Sequence, residues 1–127
     1  MKNIAIYIPT RIYGGAERQM ALLACLAADH GYMVSVIDSS VGVVAKILQN
    51  RSDIKILYKQ KSKKLKIKDS IVITQASYAF CLNSFLDLEN CQVNFWFMHS
   101  LNLPHMNVHN RLPKYLKIFS SLIKNIY

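Results

Sequence analysis

Short apolar runs alternate with longer helix-forming segments along most of the chain. Runs rich in Ile and Val are typical of strands that are buried on both faces of a parallel sheet. Five such runs predict strands at residues 4–8, 33–37, 54–58, 71–74 and 93–98. Lys55 interrupts the third run, which favours a position near an edge of the sheet.

The segments between these runs predict helices. Residues 16–28 consist largely of Ala, Leu and Met and are apolar nearly all round, which predicts a well-buried helix that ends near Gly31. Residues 43–49 predict a short helix, and residues 77–88 predict a longer one with apolar residues at helical spacing. Pro113 is typical of the first turn of a final helix.

The order of these elements predicts an α/β fold of the Rossmann-like type. No Asn-Gly hairpin signal separates two strands, so we expect a parallel sheet of about five strands with flanking helices. The length of 127 residues and the hydrophobic content of 52% suit one globular domain. Residues 93–98 would form an exposed hydrophobic edge, and we therefore expect residues 1–127 alone to associate or to be poorly soluble.

The formal net charge of +9 comes mainly from one lysine-rich segment, residues 59–68. We interpret this segment as a solvated loop that could also adsorb to an anionic membrane, to which each lysine adds about 1 kcal/mol. Its membrane-surface candidates are Lys61, Lys63, Lys64 and Lys66. Nucleic acid is not expected as a partner, because the segment contains no arginine and its only nearby aromatic residue is Tyr58.

The sequence favours a cytoplasmic protein, with the inner face of the membrane as a second location if the lysine segment binds lipid. No apolar run approaches the about 20 residues of a membrane-spanning helix, and the first residues do not form a signal-peptide pattern. No two of the three cysteines, Cys25, Cys81 and Cys91, form a Cys-x-x-Cys motif, and we expect all three to be free thiols.

Polar residues follow four of the predicted strands at their carboxyl ends, where parallel sheets bind ligands. The residue pairs at these ends are Gly14-Gly15, Ser39-Ser40, Thr74-Gln75 and His99-Ser100. The glycine pair opens a helix, whose free N–H groups attract anions such as phosphate. A tight loop that binds nothing is the alternative, because the pair matches neither the G-x-G-x-x-G fingerprint nor a P-loop.

No metal ion or separate cofactor is predicted. His105 and His109 are four residues apart, but Pro104 before them and the asparagines around them indicate a loop, and no acidic ligand is near. No Ser-His-Asp or Cys-His arrangement can be argued, because the acidic residues are few and dispersed.

The N-terminal pattern resembles the opening of family 4 glycosyltransferases. The apolar strand at residues 4–8 with Pro9, then Gly-Gly-Ala-Glu-Arg at residues 14–18, then a helix ending near Gly31 and a strand at residues 34–37 carry the resemblance. Those enzymes have the GT-B architecture of two Rossmann-like domains and open with a strand, a loop, Gly-Gly-x-Glu/Gln-Arg, a helix and a strand. The resemblance follows the order of elements along the whole chain and is specific only over residues 4–37.

The resemblance implies roles for individual residues. Gly15 looks like the glycine whose backbone faces the donor phosphate or the acceptor, and Glu17 and Arg18 look like the first-turn pair after it. His99 lies where many such enzymes place a histidine that faces the reaction cleft, which makes it the catalytic candidate. A histidine that only caps the strand end is the alternative. The implied reaction transfers a sugar from a nucleotide-sugar to a glycan or lipid-linked acceptor.

The nucleotide-sugar is held in that family mainly by the second domain, through a basic residue and a Glu-x7-Glu motif that this sequence does not match. We therefore expect residues 1–127 to be part of an N-terminal, acceptor-side GT-B domain that is inactive alone, with the C-terminal nucleotide-sugar domain absent. Two alternatives stay open. One is a non-catalytic Rossmann-like subunit that pairs with a separate donor-binding chain; the other is a dinucleotide-binding oxidoreductase domain with Asp38 as the ribose-binding acid.

Overall fold

The structure is a computed structural model that describes residues 2–11 and 14–96. In chain order its elements are β1 (Asn3–Tyr7), α1 (Gly15–Asp29), β2 (Met33–Asp38), α2 (Val43–Ile47), β3 (Ile54–Tyr58), β4 (Leu65–Lys68), β5 (Ser70–Gln75), a 3₁₀ helix (Ala76–Cys81), α3 (Leu82–Phe85), β6 (Leu86–Glu89) and β7 (Gln92–Trp96). Residues 97 and 98 of the fifth predicted strand and the helix predicted to start at Pro113 lie outside the described residues.

Five strands form one parallel sheet in the order β3-β2-β1-β5-β7. The order reverses at β1: the chain first adds β2 and β3 on one side of it, and then β5 and β7 on the other. At the end of β1, Tyr7 is the register partner of Ile37 in β2 and of Thr74 in β5. The predicted α/β, Rossmann-like fold is confirmed, and β3 with Lys55 is an edge strand as the sequence indicated.

The two faces of the sheet are covered by different layers. α1 packs against β1, β2, β3 and α2. On the other face, side chains of β1, β2 and β5 form a core with the segment that contains β4, α3 and β6. Its buried members are Ala5, Tyr7, Ile37, Ile67, Val72, Leu82 and Leu86. Coverage of both faces explains why the central strands are nearly continuous apolar runs.

The helix predicted at residues 16–28 is present, but it is not buried all round. Its buried face is made mostly of small side chains, which are Ala16, Glu17, Met20, Ala21, Ala24 and Ala27. Leu22 and Leu26 lie on the outer side and are 47% and 55% exposed. Alanines let the helix axis come close to the sheet, and the bulkier leucines therefore remain outside that contact.

The helix predicted over residues 77–88 is wrong beyond Phe85. The next four residues form β6, which pairs in parallel with β4. The prediction of a solvated loop over residues 59–68 agrees with the structure for residues 59–64 and is wrong for residues 65–68, which form β4. Both strands alternate apolar and charged residues, and their apolar side chains pack onto the core of the main sheet: Leu65, Ile67, Leu86 and Leu88.

Each strand of this small sheet leads directly into a strand of the main sheet. Asp69 is the only residue between β4 and β5, and Asn90 and Cys91 separate β6 from β7. Asp69 and Asn90 have φ values of 49° and 52°. These two are residue types that enter the left-handed region more readily than others, because their short polar side chains bond locally.

Candidate functional site

The strand order makes the carboxyl ends of β1 and β5 the candidate position for a ligand. In open parallel sheets the crevice lies where the strand order reverses. The chain leaves β1 toward Gly14 and Gly15, which start α1, and β5 ends at Gln75. We call the surface formed by Gly14, Gly15, Glu17, Gln75 and Tyr78 the β1–β5 edge.

The glycine pair leaves the start of α1 open. Gly14 is the N-cap and has an extended backbone, and Gly15 is the first helical residue. A Cβ on Gly15 would meet no atom of the described residues within 4 Å, whereas a Cβ on Gly14 would lie 3.1 Å from Oε2 of Glu17. The main chain of Gly15 can therefore be approached closely by a bound molecule.

Glu17 folds back over the start of its own helix. Glu17 is only 8% exposed, and its carboxylate lies against Gly14. A carboxylate in the first turn interacts favourably with the helix dipole, by about 0.3–1 kcal/mol. Arg18, the next residue of the predicted pair, is exposed, and its backbone N–H donates to the Gly14 carbonyl at 3.2 Å. Glu17 is thus the buried member of the pair.

Gln75 presents a buried amide with unused hydrogen-bonding capacity. The residue is 7% exposed, and its Oε1 accepts a hydrogen bond from Ser77 Oγ at 3.4 Å. Its Nε2 has no hydrogen-bond partner among the described residues. Because successive residues of a strand point to opposite faces, Gln75 lies on the face opposite Thr74, the face on which α1 packs. A ligand acceptor at this point would satisfy a group that costs about 1–3 kcal/mol when it is buried unpaired.

Thr74 also lies at the carboxyl end of β5, but its side chain is on the face of the sheet opposite Gln75. It is fully buried, and its hydroxyl donates to the Tyr7 carbonyl at 2.7 Å. This bond ties the ends of β5 and β1 together. The hydroxyl proton of Thr74, a predicted site residue, therefore already makes a hydrogen bond within the protein.

Two tyrosines that the sequence analysis did not single out lie beside these residues. The rings of Tyr7 and Tyr78 meet edge to face, with centroids 6.3 Å apart. Burial raises the pKa of Tyr7 well above its usual range. Burial also raises the pKa of Tyr78, a hydrogen bond with the Thr10 side chain lowers it, and the negative charges of Glu17 and Asp38 raise it further. Tyr78 therefore lies within the electrostatic reach of two carboxylates.

Asp38 at the end of β2 is turned inward. It is fully buried, and its carboxylate accepts hydrogen bonds from the backbone N–H groups of Ser39 at 2.7 Å and Ala45 at 2.9 Å. Burial raises its pKa, and the backbone hydrogen bonds oppose that rise. A Cβ on Gly42 would overlap this carboxylate. The Asp38 carboxylate is thus committed to backbone N–H groups around the start of α2, whose N-cap is Gly42, and is not offered to a ribose.

Ser39 is buried directly after Asp38, and its Oγ has no hydrogen-bond partner among the described residues. It follows β2, which is the neighbour of β1 in the sheet. Ser39 therefore lies one strand away from the β1–β5 edge, and its predicted role in substrate binding stays a prediction.

The lysines of residues 59–68 have different environments in the fold. Lys66 and Lys68 extend from β4, with Nζ atoms 3.7 Å and 3.5 Å from Oε2 of Glu89 in β6. Lys59 places its Nζ 4.4 Å from the ring centroid of Phe85, a cation–π distance. Within residues 59–68, the three lysines that are exposed and form no ion pair with another described residue are Lys61, Lys63 and Lys64. Among the described helices, none has the length and hydropathy to cross a membrane.

The remaining candidate residues of the sequence analysis are distributed differently. His99, Ser100, His105 and His109 lie outside the described residues. Within residues 2–11 and 14–96, no three or more His, Cys, Asp or Glu side chains are grouped so that they could hold a metal ion. The three cysteines are free and partly buried.

No protein-family model matches the chain, and neither the curated proteins nor the solved structures contain a significant match to it.

Proposed function

We propose that this chain is the acceptor-side part of a glycosyltransferase and that the sugar acceptor binds at the β1–β5 edge. The observation that carries the proposal is the buried Nε2 of Gln75, which has no hydrogen-bond partner among the described residues and lies on the α1 face of the sheet, where the strand order reverses. The resemblance of residues 4–37 to family 4 glycosyltransferases supports the same assignment.

The groups at this edge suit an acceptor that carries several hydroxyls. A sugar hydroxyl both donates and accepts hydrogen bonds, and so it needs donors and acceptors together. Gln75 Nε2 and the first N–H groups of α1 are donors, and the Glu17 carboxylate is an acceptor.

In this account the described residues orient the acceptor. During transfer an acceptor hydroxyl oxygen bonds to the anomeric carbon, the bond from that carbon to the nucleotide phosphate breaks, and the hydroxyl proton passes to a base. Correct placement of the attacking oxygen lowers the barrier, because it converts an encounter into a reaction within one complex. The family resemblance makes His99 the catalytic candidate and assigns the nucleotide-sugar to a second domain.

Saturation-transfer NMR on the full 127-residue chain tests this proposal. The probes are the neutral methyl glycosides of glucose, galactose, mannose and N-acetylglucosamine, with UDP-glucose and NAD as competitors of other classes. We expect saturation transfer to at least one glycoside, loss of that signal in Gln75→Ala, and its retention in Gln49→Ala, which truncates an exposed glutamine after α2.

The other results would contradict the proposal. Binding of UDP-glucose without any glycoside would assign the donor, and not the acceptor, to this domain. Binding of NAD would favour a dinucleotide-binding domain, although Asp38 is committed to the backbone around α2. Glycoside binding that survives Gln75→Ala would place the acceptor away from the β1–β5 edge.

A further inference from the structure

We infer that the carboxyl edge of the main sheet docks on an anionic membrane, and that Arg11 and Arg18 share this contact with the lysine-rich connection at residues 59–64. The carboxyl edge consists of the loops and the helix start that follow the carboxyl ends of the strands. The inference goes beyond the proposed function, because it assigns a partner surface, and it stands whether or not an acceptor binds at the β1–β5 edge.

The exposed acidic side chains lie away from the carboxyl edge. The chain has seven Asp and Glu residues, and all of them belong to the described residues. Five are exposed, and one of these, Asp87, is the register partner of Lys66 in the small sheet. The other four lie at the amino edge, where the strands begin, at the end of α1 or shortly before β3, β5 and β7: Asp29, Asp53, Asp69 and Glu89.

The two acidic residues at the carboxyl edge are buried. Glu17 is 8% exposed, and Asp38 is fully buried with its carboxylate hydrogen-bonded to backbone N–H groups. Residues 12–13 and 97–127, which lie outside the described residues, contain no Asp or Glu in the sequence. No acidic side chain elsewhere in the chain is therefore available to neutralise this edge.

Exposed basic side chains reach the carboxyl edge from three separate segments. Arg11 follows β1, and Arg18 lies in the first turn of α1. The connection that leaves the carboxyl end of β3 contributes Lys61, Lys63 and Lys64. None of these five side chains forms an ion pair with another described residue. The edge therefore presents basic charge without an acidic counterpart.

Several basic residues away from this edge lie beside acids. Arg51 is 2.8 Å from Asp29 and 2.7 Å from Asp53. Lys66 and Lys68 are 3.7 Å and 3.5 Å from Glu89. The fold therefore changes the membrane surface that the sequence predicts, because the two arginines join it and Lys66 leaves it.

A membrane fits the breadth of this basic surface. Arg11 follows β1 and the lysine-rich connection follows β3, and these strands are two strand spacings, or about 10 Å, apart. A single small anion would contact only a part of this surface, whereas a bilayer with anionic lipid presents negative charge across all of it. Each Lys or Arg close to such a bilayer strengthens binding by about fivefold.

Exposed aromatic side chains lie at both ends of the same edge. Tyr58 ends β3 and Trp96 ends β7, the first and last strands of the sheet order, and they are 46% and 39% exposed. Tyrosine and tryptophan are enriched where membrane meets water, because each combines an apolar ring with a polar group. Tyr32 at the amino edge is also 41% exposed, so charge and not aromatic content distinguishes the two edges.

Partition of residues 1–127 onto phosphatidylcholine vesicles with and without phosphatidylserine tests the inference. We expect binding only when phosphatidylserine is present, and a loss of about 25-fold when Arg11→Ala and Arg18→Ala are combined. Lys2→Ala combined with Lys55→Ala removes the same charge from exposed lysines on the amino side and should weaken binding much less. Equal losses for the two double variants, or no binding to phosphatidylserine vesicles, would overturn the inference.

Trp96 reports which edge faces the bilayer, because it is the only tryptophan in the chain. Lipids with brominated acyl chains quench a tryptophan at the bilayer, and we expect them to quench Trp96. In Trp96→Phe combined with Tyr32→Trp the reporter lies at the amino edge, and quenching should be lost. Quenching of this second reporter in place of Trp96 would overturn the orientation. Binding of a single-stranded oligonucleotide without binding of anionic vesicles would identify nucleic acid as the partner and contradict a membrane surface.

Discussion

Asn90 donates a hydrogen bond from its Nδ2 to Oδ1 of Asp69 at 2.7 Å, and both residues occupy the left-handed region of backbone conformation. The Asp69 backbone N–H also donates to the Glu89 carbonyl at 3.0 Å. These two residues stand at equivalent points, where β4 passes into β5 and β6 passes into β7. Their contact therefore holds the small sheet in register with the main sheet at both crossings.

Asn90→Ala should destabilise the protein by about 1–2 kcal/mol, because alanine is strained at positive φ and cannot donate to Asp69. Asn90→Gly removes the same hydrogen bond but accepts the backbone conformation, so its loss of stability should be smaller. Urea unfolding with an unchanged m value gives both free energies. Equal losses for the two variants would show that the backbone conformation at Asn90 is unimportant.

Gly42 and Asp38 should be strongly coupled. Gly42→Ala should cost about 1–3 kcal/mol, because the new Cβ would overlap the buried Asp38 carboxylate. In an Asp38→Ala background the same substitution should cost much less, and the double-mutant cycle measures the difference. Gly15→Ala is the matched control: no atom of residues 2–11 or 14–96 lies within 4 Å of its Cβ, and the change should be nearly neutral for stability. Additive effects of Gly42→Ala and Asp38→Ala would contradict the overlap.

Burial of Asp38 should also appear in the pH dependence of stability. Its folded-state pKa is raised, so the folded protein favours the protonated acid more than the unfolded chain does. Its favourable contribution is present below the unfolded pKa and is lost as the pH rises through the raised folded pKa. Asp38→Asn cannot titrate, and its free energy of unfolding should therefore improve relative to the wild type as the pH is raised. A constant difference across that range would show that Asp38 is ionised in the fold without cost.

Lys61, Lys63 and Lys64, the exposed lysines of residues 59–68 that form no ion pair among the described residues, test the membrane prediction. If the segment adsorbs to an anionic bilayer, replacing Lys61, Lys63 and Lys64 with alanine should remove about 1 kcal/mol per lysine from the binding free energy. Lys68→Ala should have a smaller effect, because its Nζ lies 3.5 Å from Glu89. Flotation with vesicles of increasing phosphatidylserine content measures this. Flotation that does not depend on the anionic lipid, or is unchanged in the triple variant, would contradict membrane binding.

The main sheet could be predicted from the sequence because its central strands are covered on both faces and are therefore almost purely apolar. The small sheet was missed, although its signal is present. Leu65-Lys66-Ile67-Lys68 and Leu86-Asp87-Leu88-Glu89 both alternate strictly, with opposite charges on their outer sides. The density of lysines favoured a loop for the first segment. For the second, the four-residue spacing of Leu82 and Leu86 favoured a helix.

The sequence predicts which residues belong to the candidate site better than it predicts where their side chains point. The glycine pair and Gln75 belong to the carboxyl ends of neighbouring strands, a relationship that strand order alone provides. The side chains of Asp38 and Thr74 point into the protein because they contact α2 and β1, respectively. No local sequence pattern encodes these contacts. Tyr78 was missed because it lies in a segment that was assigned to a helix.

The account depends most on acceptor binding at Gln75, and the side-chain amide protons of that residue report on it directly. The measurement is an NMR titration of isotope-labelled residues 1–127 with the methyl glycoside that binds best. We expect the Nε2 protons of Gln75 and the backbone amides of residues 14–17 to shift together, with one dissociation constant. Shifts confined to other parts of the chain, with the Gln75 side chain unaffected, would contradict an acceptor site at the β1–β5 edge.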